Sequence, residues 1–501
     1  MKKFILSAFL TAVLIFSGCS GDVTAEKKPY PSVKMSSQKP SVTEKTSRAV
    51  SKPENSVAVS QIEESISDNE YYLRGCIFDV NMNCIMSSVA QQGKIPYRQI
   101  EPKYTSLSNI LSDQSEGFDT VFEDILRTEN PTRYEIGGEL VGRSVQLTLN
   151  AGMSQKIYER MNKEGIIGSV VVMRSDGSVA AMVSTPSYDL NKLMSDSGYS
   201  ETLGNTGAFI NRTLSSAAPG STFKIISEVI ANQHDIDKMT DEGHITVQST
   251  NLQNNDWEKN KESYPMQTDR LDAFIRSSNV YFAKAFDKIG EKNVKSDMQN
   301  YFLLSDSTKI NCDFGVLQNS LKIRSRDDLC RSAFGQGNVR ISPLYISAVT
   351  REGIYGSMAE PFVLKSVIDT ATKKPVGEGS MPYNEIACIP EKCRENIKEC
   401  LRSSGTLRDI TLPDGYTLYS KTGTANVGNG LYLYITGGIV HKNDLTAQKK
   451  IYTDGYKNFS CQGGYIITMQ IQNPQHLGLE LASQTTYIYS DIIDIVIKEG
   501  E

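Results

Sequence analysis

"APGSTFKIISEVI", residues 218–230, sets a Pro-Gly turn directly before a serine, a lysine three places later, and then an apolar run at helical spacing. The turn closes the preceding segment, so the spacing predicts a helix whose first turn carries Ser221 and whose same face carries Lys224. A serine hydroxyl is a weak nucleophile until a base takes its proton. A lysine is such a base only when neutral. Burial, a neighbouring cation and the partial positive charge of a helix N-terminus all disfavour the ammonium. Free N–H groups at the helix start would also face a developing oxyanion. The Ser-x-x-Lys spacing is unspecific alone: "SSQK", Ser36 to Lys39, matches it in a polar stretch where nothing would desolvate a lysine. An N-capping serine beside a solvated lysine reads the same way.

Two further stretches change the weighing. "SKTGTA", residues 420–425, places Lys421, Thr422, Gly423 and Thr424 on an expected strand. A glycine inside a strand admits a second backbone or a ligand, and the lysine with its flanking threonine hydroxyls makes a compact carboxylate binder. "RSSNVYFAKAF", residues 276–286, supplies Ser277, Ser278 and Asn279 between amphipathic segments. The four histidines, at 234, 244, 441 and 476, are scattered and form no His-Glu-x-x-His pattern, so neither a catalytic metal nor a Ser-His-Asp triad is expected.

Ser221-Thr222-Phe223-Lys224, Ser277-Ser278-Asn279 and Lys421-Thr422-Gly423, in this order, resemble the three motifs of penicillin-binding proteins and serine β-lactamases. Ser-x-Asn also occurs at Ser67-Asp68-Asn69, which precedes the nucleophile, and at Ser249-Thr250-Asn251, inside the polar "VQSTNLQNND" without helical flanks. The resemblance extends to "RGCIFD" (74–79), "SVQLTLNAGMSQ" (144–155), "AAMVSTPSYDLN" (180–191), "NRTLSSAAPGSTFK" (211–224) and "AFGQGNVRISPLYISAV" (333–349). Two departures stand out. "RGCIFDVNMNCIM" lacks the glycine usual in the turn after the aspartate, and the stretch from Ser249 to Met266 is polar, has no recognisable counterpart and is not expected to touch the motifs.

The resemblance implies an α/β penicillin-binding transpeptidase fold: an antiparallel sheet flanked by helices, a helical subdomain and a small N-terminal module. It implies that Ser221 attacks the penultimate carbonyl of a stem peptide ending in D-Ala-D-Ala, with Lys224 as base. Ser277 would relay a proton toward the leaving D-alanine near Lys224 and Lys421, and Asn279 would hold the donor peptide's amide. Lys421, Thr422 and Thr424 would position the terminal carboxylate beside Gly423, and the N–H groups of Ser221 and Thr424 would form the oxyanion hole. The implied partners are peptidoglycan stem peptides, β-lactam antibiotics and a glycosyltransferase of the wall-synthesis machinery. No cofactor is expected. The chemistry is self-consistent, because two lysines and a small hydroxyl pass a proton without histidine.

The chain has 501 residues, and 53 basic against 58 acidic residues leave a net charge of −5, a near-balance that argues against nucleic acid as a partner. "MKKFILSAFLTAVLIFSGCS" joins two lysines to an apolar run, Phe4 to Phe16, that is shorter than the ~20 residues a membrane span needs. It has the form of an export signal. The small residues before Cys19 resemble a bacterial lipobox, which implies lipidation of Cys19 and an exported protein anchored to a membrane; Phe16 stands where that pattern usually has an aliphatic residue. The expected division is a signal peptide over 1–19, a polar tether over 20–65 that cannot bury a core, a small module over 66–141, and the transpeptidase domain over 142–501. Eight further cysteines in an exported chain lead us to expect one or more disulfides, with free buried thiols as the alternative. Strands are expected at "GRSVQLTLN" (142–150), in a hairpin at "IIGSVVVMRSDGSVAAMVSTPSYD" (166–189), and at "GYTLYSKTGTA", "LYLYITGGIVH" and "GGYIITMQIQN". Helices are expected at "AGMSQKIYERMNKEG" and "TYIYSDIIDIVIKEG".

The module before the catalytic part is too short for the glycosyltransferase of bifunctional penicillin-binding proteins. The leading expectation is therefore a monofunctional, class B type D,D-transpeptidase. The alternatives are a D,D-carboxypeptidase or a β-lactamase, although the Glu-x-x-Leu-Asn deacylation motif is absent, and a β-lactam-binding scaffold or sensor without turnover.

Overall fold

A computed structural model describes residues 71–500, apart from 113–116, 197, 378–382, 428–429 and 448–460. The leader with Cys19, the tether over 20–65 and the second Ser-x-x-Lys at Ser36 lie outside the described residues.

The larger part of the chain opens with helix α1, Ala151–Lys163, capped by Asn150, whose side chain accepts the N–H of Met153. Strand β1, Gly168–Arg174, then turns at Asp176-Gly177 into β2, Val179–Thr185. After a long helix-rich excursion the chain returns as β3, Tyr416–Val427, β4, Gly430–His441, and β5, Gly464–Gln472, and closes with a helix over Thr486–Gly500. The five strands form one antiparallel sheet in the order β3-β4-β5-β1-β2.

Both faces of this sheet are buried, which explains why its strands read as near-continuous apolar runs rather than strict alternation. Val170, Val172, Leu433, Ile435, Ile467 and Met469 face one core with Ile157 of α1 and Ile488 and Ile492 of the closing helix. Val171, Met173, Tyr434 and Ile466 face the other core, with Ile225, Ile226 and Val229 of the helix Lys224–Gln233. The expected fold, an antiparallel sheet flanked by helices with a helical subdomain, is what the chain adopts. The subdomain is not purely helical: ribbons at 239–268 and 308–321 interrupt it.

The segment expected as a module over 66–141 shares its sheet with the rest. Ile77 and Phe78 pair in parallel with Val145 and Gln146, and Leu364–Ile368 pairs antiparallel on the far side of 144–147. The strand expected at 142–150 is thus Ser144–Leu147, in this second sheet rather than in the central one. Asp79 ties the two parts: its carboxylate accepts the N–H groups of Asn81 and Asn83 at 2.9 and 2.8 Å, and that of Ala151 at the start of α1 at 3.3 Å. In the turn that lacks the usual glycine, Met82 itself takes the left-handed conformation, φ 62°.

The expected disulfides are not present: all eight described cysteines are free. Cys393 and Cys400 lie on one buried face of the helix Glu391–Ser403. Seven residues of helix separate them by about 10 Å, too far to be bridged.

Candidate active site

Ser221 sits in a 3₁₀ turn, Gly220–Phe223, that runs directly into helix α2, Lys224–Gln233. The sequence suggests a first helical turn; the tighter 3₁₀ form is what aligns Ser221 with Lys224, since residues i and i+3 eclipse in that geometry. Gly220 N–H donates to the Gly335 carbonyl at 3.0 Å and the Thr222 hydroxyl to the Pro219 carbonyl at 2.9 Å, which fixes the turn.

Lys224 is fully buried, and its Nζ meets four groups: Ser221 Oγ at 2.9 Å, the Ser277 carbonyl at 2.6 Å, Ser277 Oγ at 3.1 Å and Asn279 Oδ1 at 2.7 Å. The two shortest contacts are to oxygens that only accept. A neutral amine satisfies both with its two N–H bonds and turns its lone pair to the Ser221 hydroxyl. Burial pushes the Lys224 amine well below its usual range, the charge of Lys421 pushes it further, and Asp241 opposes them. Of the causes expected from sequence, burial leads and the neighbouring cation follows.

Ser277 and Asn279 reach this lysine from a corner between α3, Arg270–Ile275, and α4, Asn279–Ile289. Ser277 is left-handed, φ 58°, a strained conformation for serine that turns both its carbonyl and its hydroxyl to Lys224. Ser278 caps α4, its hydroxyl accepting the N–H of Tyr281. The alternative Ser249-Thr250-Asn251 falls on a separate hairpin, where Asn251 is exposed and pairs with Thr246.

Lys421 extends from β3 across the site. Its Nζ lies 3.1 Å from Ser277 Oγ and 3.1 Å from the Thr422 carbonyl, above the Phe274 ring at 5.4 Å. Burial brings its pKa down to about 7. Ser277 Oγ is therefore shared by two buried lysines. Gly423 is where β3 meets the turn that carries Ser221: a Cβ there would lie 2.9 Å from Pro219 O and from Thr222 N. Thr422 and Thr424 alternate to the other face and are half-buried. All five residues expected to be catalytic thus converge. Thr422, Gly423 and Thr424 line the strand beside them.

Two residues of this neighbourhood escape sequence reading. Asp241 and Asn254 are buried and bonded to the Ser-x-Asn corner. Asn254 belongs to the polar stretch expected to stay clear of the motifs, and that expectation fails. Among the described residues no group of histidine, cysteine or carboxylate side chains is placed to hold a metal, and no helix is long and apolar enough to cross a membrane.

Residues 168–436, more than half of the chain, match the penicillin binding protein transpeptidase domain. The chain belongs to that family. The transpeptidase match opens at the first residue of β1 and closes within β4, so it takes in Ser221, Ser277 and Lys421 together. The chain is 23% identical over 403 residues to the peptidoglycan D,D-transpeptidase MrdA of Haemophilus influenzae, covering 72% of this chain and 61% of that one. It is 28% identical over 316 residues to the stage V sporulation protein D of Bacillus subtilis, covering 58% and 46%. It therefore spans less than two thirds of the length of either curated relative. Among solved structures, penicillin-binding protein A from Mycobacterium tuberculosis, as its penicillin G acyl-enzyme complex, superposes with a TM-score of 0.68 at 19% identity, covering 85% of this chain and 100% of that one. The D,D-transpeptidase domain of a peptidoglycan glycosyltransferase from Eggerthella lenta gives 0.65 at 18%, covering 85% and 98%. At these identities the likeness establishes the transpeptidase fold.

Proposed function

We propose that this penicillin-binding protein is a monofunctional, class B type D,D-transpeptidase that cross-links peptidoglycan stem peptides through an acyl-enzyme on Ser221 and is inhibited by β-lactams. The observation that carries the reading is the buried Lys224 amine, 2.9 Å from Ser221 Oγ and held on its other side by Ser277 and Asn279. Ser221 Oγ attacks the penultimate D-alanine carbonyl as its proton passes to Lys224 Nζ. The oxyanion faces the N–H groups of Ser221 and Thr424. Collapse breaks the C–N bond, and the departing D-alanine amine takes a proton from Lys224 through Ser277 Oγ, with Lys421 3.1 Å from that hydroxyl. An acceptor amine then attacks the ester, its proton returns along the same path, and Ser221 is released. Asn279 holds the donor amide, and Lys421, Thr422 and Thr424 hold the terminal carboxylate.

A β-lactam carries a strained amide near a carboxylate and enters the same path, but its opened ring stays attached and blocks the acceptor. The reading includes export and a lipid anchor at Cys19, which would place the site outside the cytoplasm and beside a membrane, and a glycosyltransferase partner that supplies glycan strands. Purified protein incubated with labelled peptidoglycan strands should produce cross-links. Release of D-alanine without cross-links would make it a carboxypeptidase, and rapid release of opened penicillin a β-lactamase.

A further inference from the structure

Between α2 and α3 the chain makes two small ribbons, Met239–Asp241 paired with Met266–Thr268, and His244–Val247 paired with Thr250–Gln253. Asp241 closes one and Asn254 follows the other. Both side chains are buried, at 0% and 2% exposure. Asn254 Oδ1 accepts the N–H groups of Asn279 at 2.7 Å and Val280 at 3.0 Å, two of the donors that the first turn of a helix leaves without an internal partner. Asn254 Nδ2 lies 3.0 Å from each Asp241 oxygen. Asp241 also accepts the N–H of Gly243 at 2.8 Å and the Ser278 hydroxyl at 2.6 Å. Asn279 in turn donates from Nδ2 to the Gln253 carbonyl at 2.9 Å and offers Oδ1 to Lys224. An unbroken hydrogen-bonded series therefore runs Asp241–Asn254–Asn279–Lys224.

An amide side chain has a donor end and an acceptor end, and nothing intrinsic to it chooses between its two orientations. A carboxylate only accepts. Asp241 therefore admits Asn254 in one orientation alone, the one that turns its oxygen to α4. Among the described residues no lysine or arginine pairs with Asp241, so its charge is held by hydrogen bonds alone. A buried carboxylate is costly unless well satisfied. An uncharged acceptor would serve a purely structural cap, whereas a charge also favours the ammonium that forms on Lys224 when Ser221 gives up its proton. The ionisable groups that act on Lys224 are Lys421, from β3, and Asp241, from the ribbon, with opposite signs.

We propose that Asp241 and Asn254 are positioning residues for acylation: Asp241 orients the Asn254 amide, and Asn254 holds the start of α4 so that Asn279 and Ser277 meet Lys224. The proposal rests on the reading of Ser221 as the acylated nucleophile. The polar stretch after Ser249 thereby acquires a role in setting the motif.

The test follows the rate of labelling by fluorescent penicillin, separated into the initial binding constant and the acylation rate constant. Asn254→Asp sets two carboxylates, which only accept, against one another, and Asp241→Asn puts an amide that can meet either end of the Asn254 amide where the carboxylate had selected one orientation. Each should lower the acylation rate constant by about 10²-fold, the scale of a misplaced catalytic group, with initial binding little changed. In Asp241→Asn the acid limb of the pH profile should also move to lower pH, because the charge that favours the ammonium is gone. The double variant, Asp241→Asn with Asn254→Asp, exchanges donor and acceptor, keeps the net charge, and should return the rate to within about tenfold of wild type.

Folded single variants that acylate at the wild-type rate would overturn the proposal. If the single variants do not fold, the double variant decides. A folded double variant with restored acylation supports the proposal, and one that stays slow refutes it. A double variant that also fails to fold would give the pair a structural role only, and the proposal falls. Wild-type protein that takes no penicillin would instead refute the reading of the site itself.

Discussion

Gly220 lies so close to the carbonyl oxygen of Thr424 that a Cβ at position 220 would stand 2.5 Å from it. The turn that carries Ser221 and the Lys-Thr-Gly strand, 200 residues apart in sequence, are thus packed backbone to backbone, and the candidate site is built on that contact. Gly220 is also left-handed, φ 57°.

Gly220→Ala should therefore be damaging on two grounds. The left-handed conformation costs about 1–2 kcal/mol for a residue with a Cβ, and overpacking against backbone adds roughly 1–3 kcal/mol. Thermal denaturation should show the loss of stability. Penicillin labelling should slow by about 10²-fold as the turn moves away from β3. A variant that melts and labels like wild type would mean that the two segments separate freely.

Substitutions at the site should rank by role. Ser221→Ala should abolish labelling, and mass spectrometry of wild-type protein should place the adduct on the peptide containing Ser221. Lys224→Ala should cost on the order of 10²–10⁴ in rate, the usual loss on removing a general base. Ser277→Ala should slow labelling, and Ser249→Ala should leave it unchanged. Labelling that survives Ser221→Ala would assign the nucleophile elsewhere.

The pH dependence has a definite sign. Below about pH 7 Lys421 is charged and pushes the Lys224 amine down. Lys421→Met removes that push, so the acid limb of the acylation profile should move to higher pH. Stability follows the same linkage. From about pH 7 up to the ordinary lysine range, an unfolded chain holds a proton at Lys421 that the folded chain does not, so folded stability rises with pH. Melting temperatures at pH 7 and pH 9 should show a smaller rise in Lys421→Met than in wild type.

The anchor and the tether are tested separately from the chemistry. Metabolic labelling with a radioactive fatty acid should mark wild type and not Cys19→Ala. Protein beginning near Asp68 should fold and take penicillin. If it is inert while the full chain is active, residues 20–65 belong to the catalytic fold.

Much of this molecule was legible without coordinates. Ser221 and Lys224 are three residues apart, and local helical geometry alone puts them on one face. The strands of the central sheet and the closing helix announce themselves by apolar runs and by period. The three motifs needed no long-range information beyond their order. Tertiary structure decided what no local pattern encodes. Cys393 and Cys400 are close in sequence, yet the helix that carries them sets them too far apart to be bridged. Ile77 and Phe78, read as part of a small N-terminal module, pair with residues 145 and 146 beyond it because a strand's partner is chosen by the sheet that buries it. Lys224 owes its lowered basicity first to burial, which depends on everything packed around it. Asp241 and Asn254 carry no periodicity and sit among polar residues that read as solvated surface. They become part of the site only when the fold removes water from them and leaves the first turn of α4 as the place where their hydrogen bonds are met.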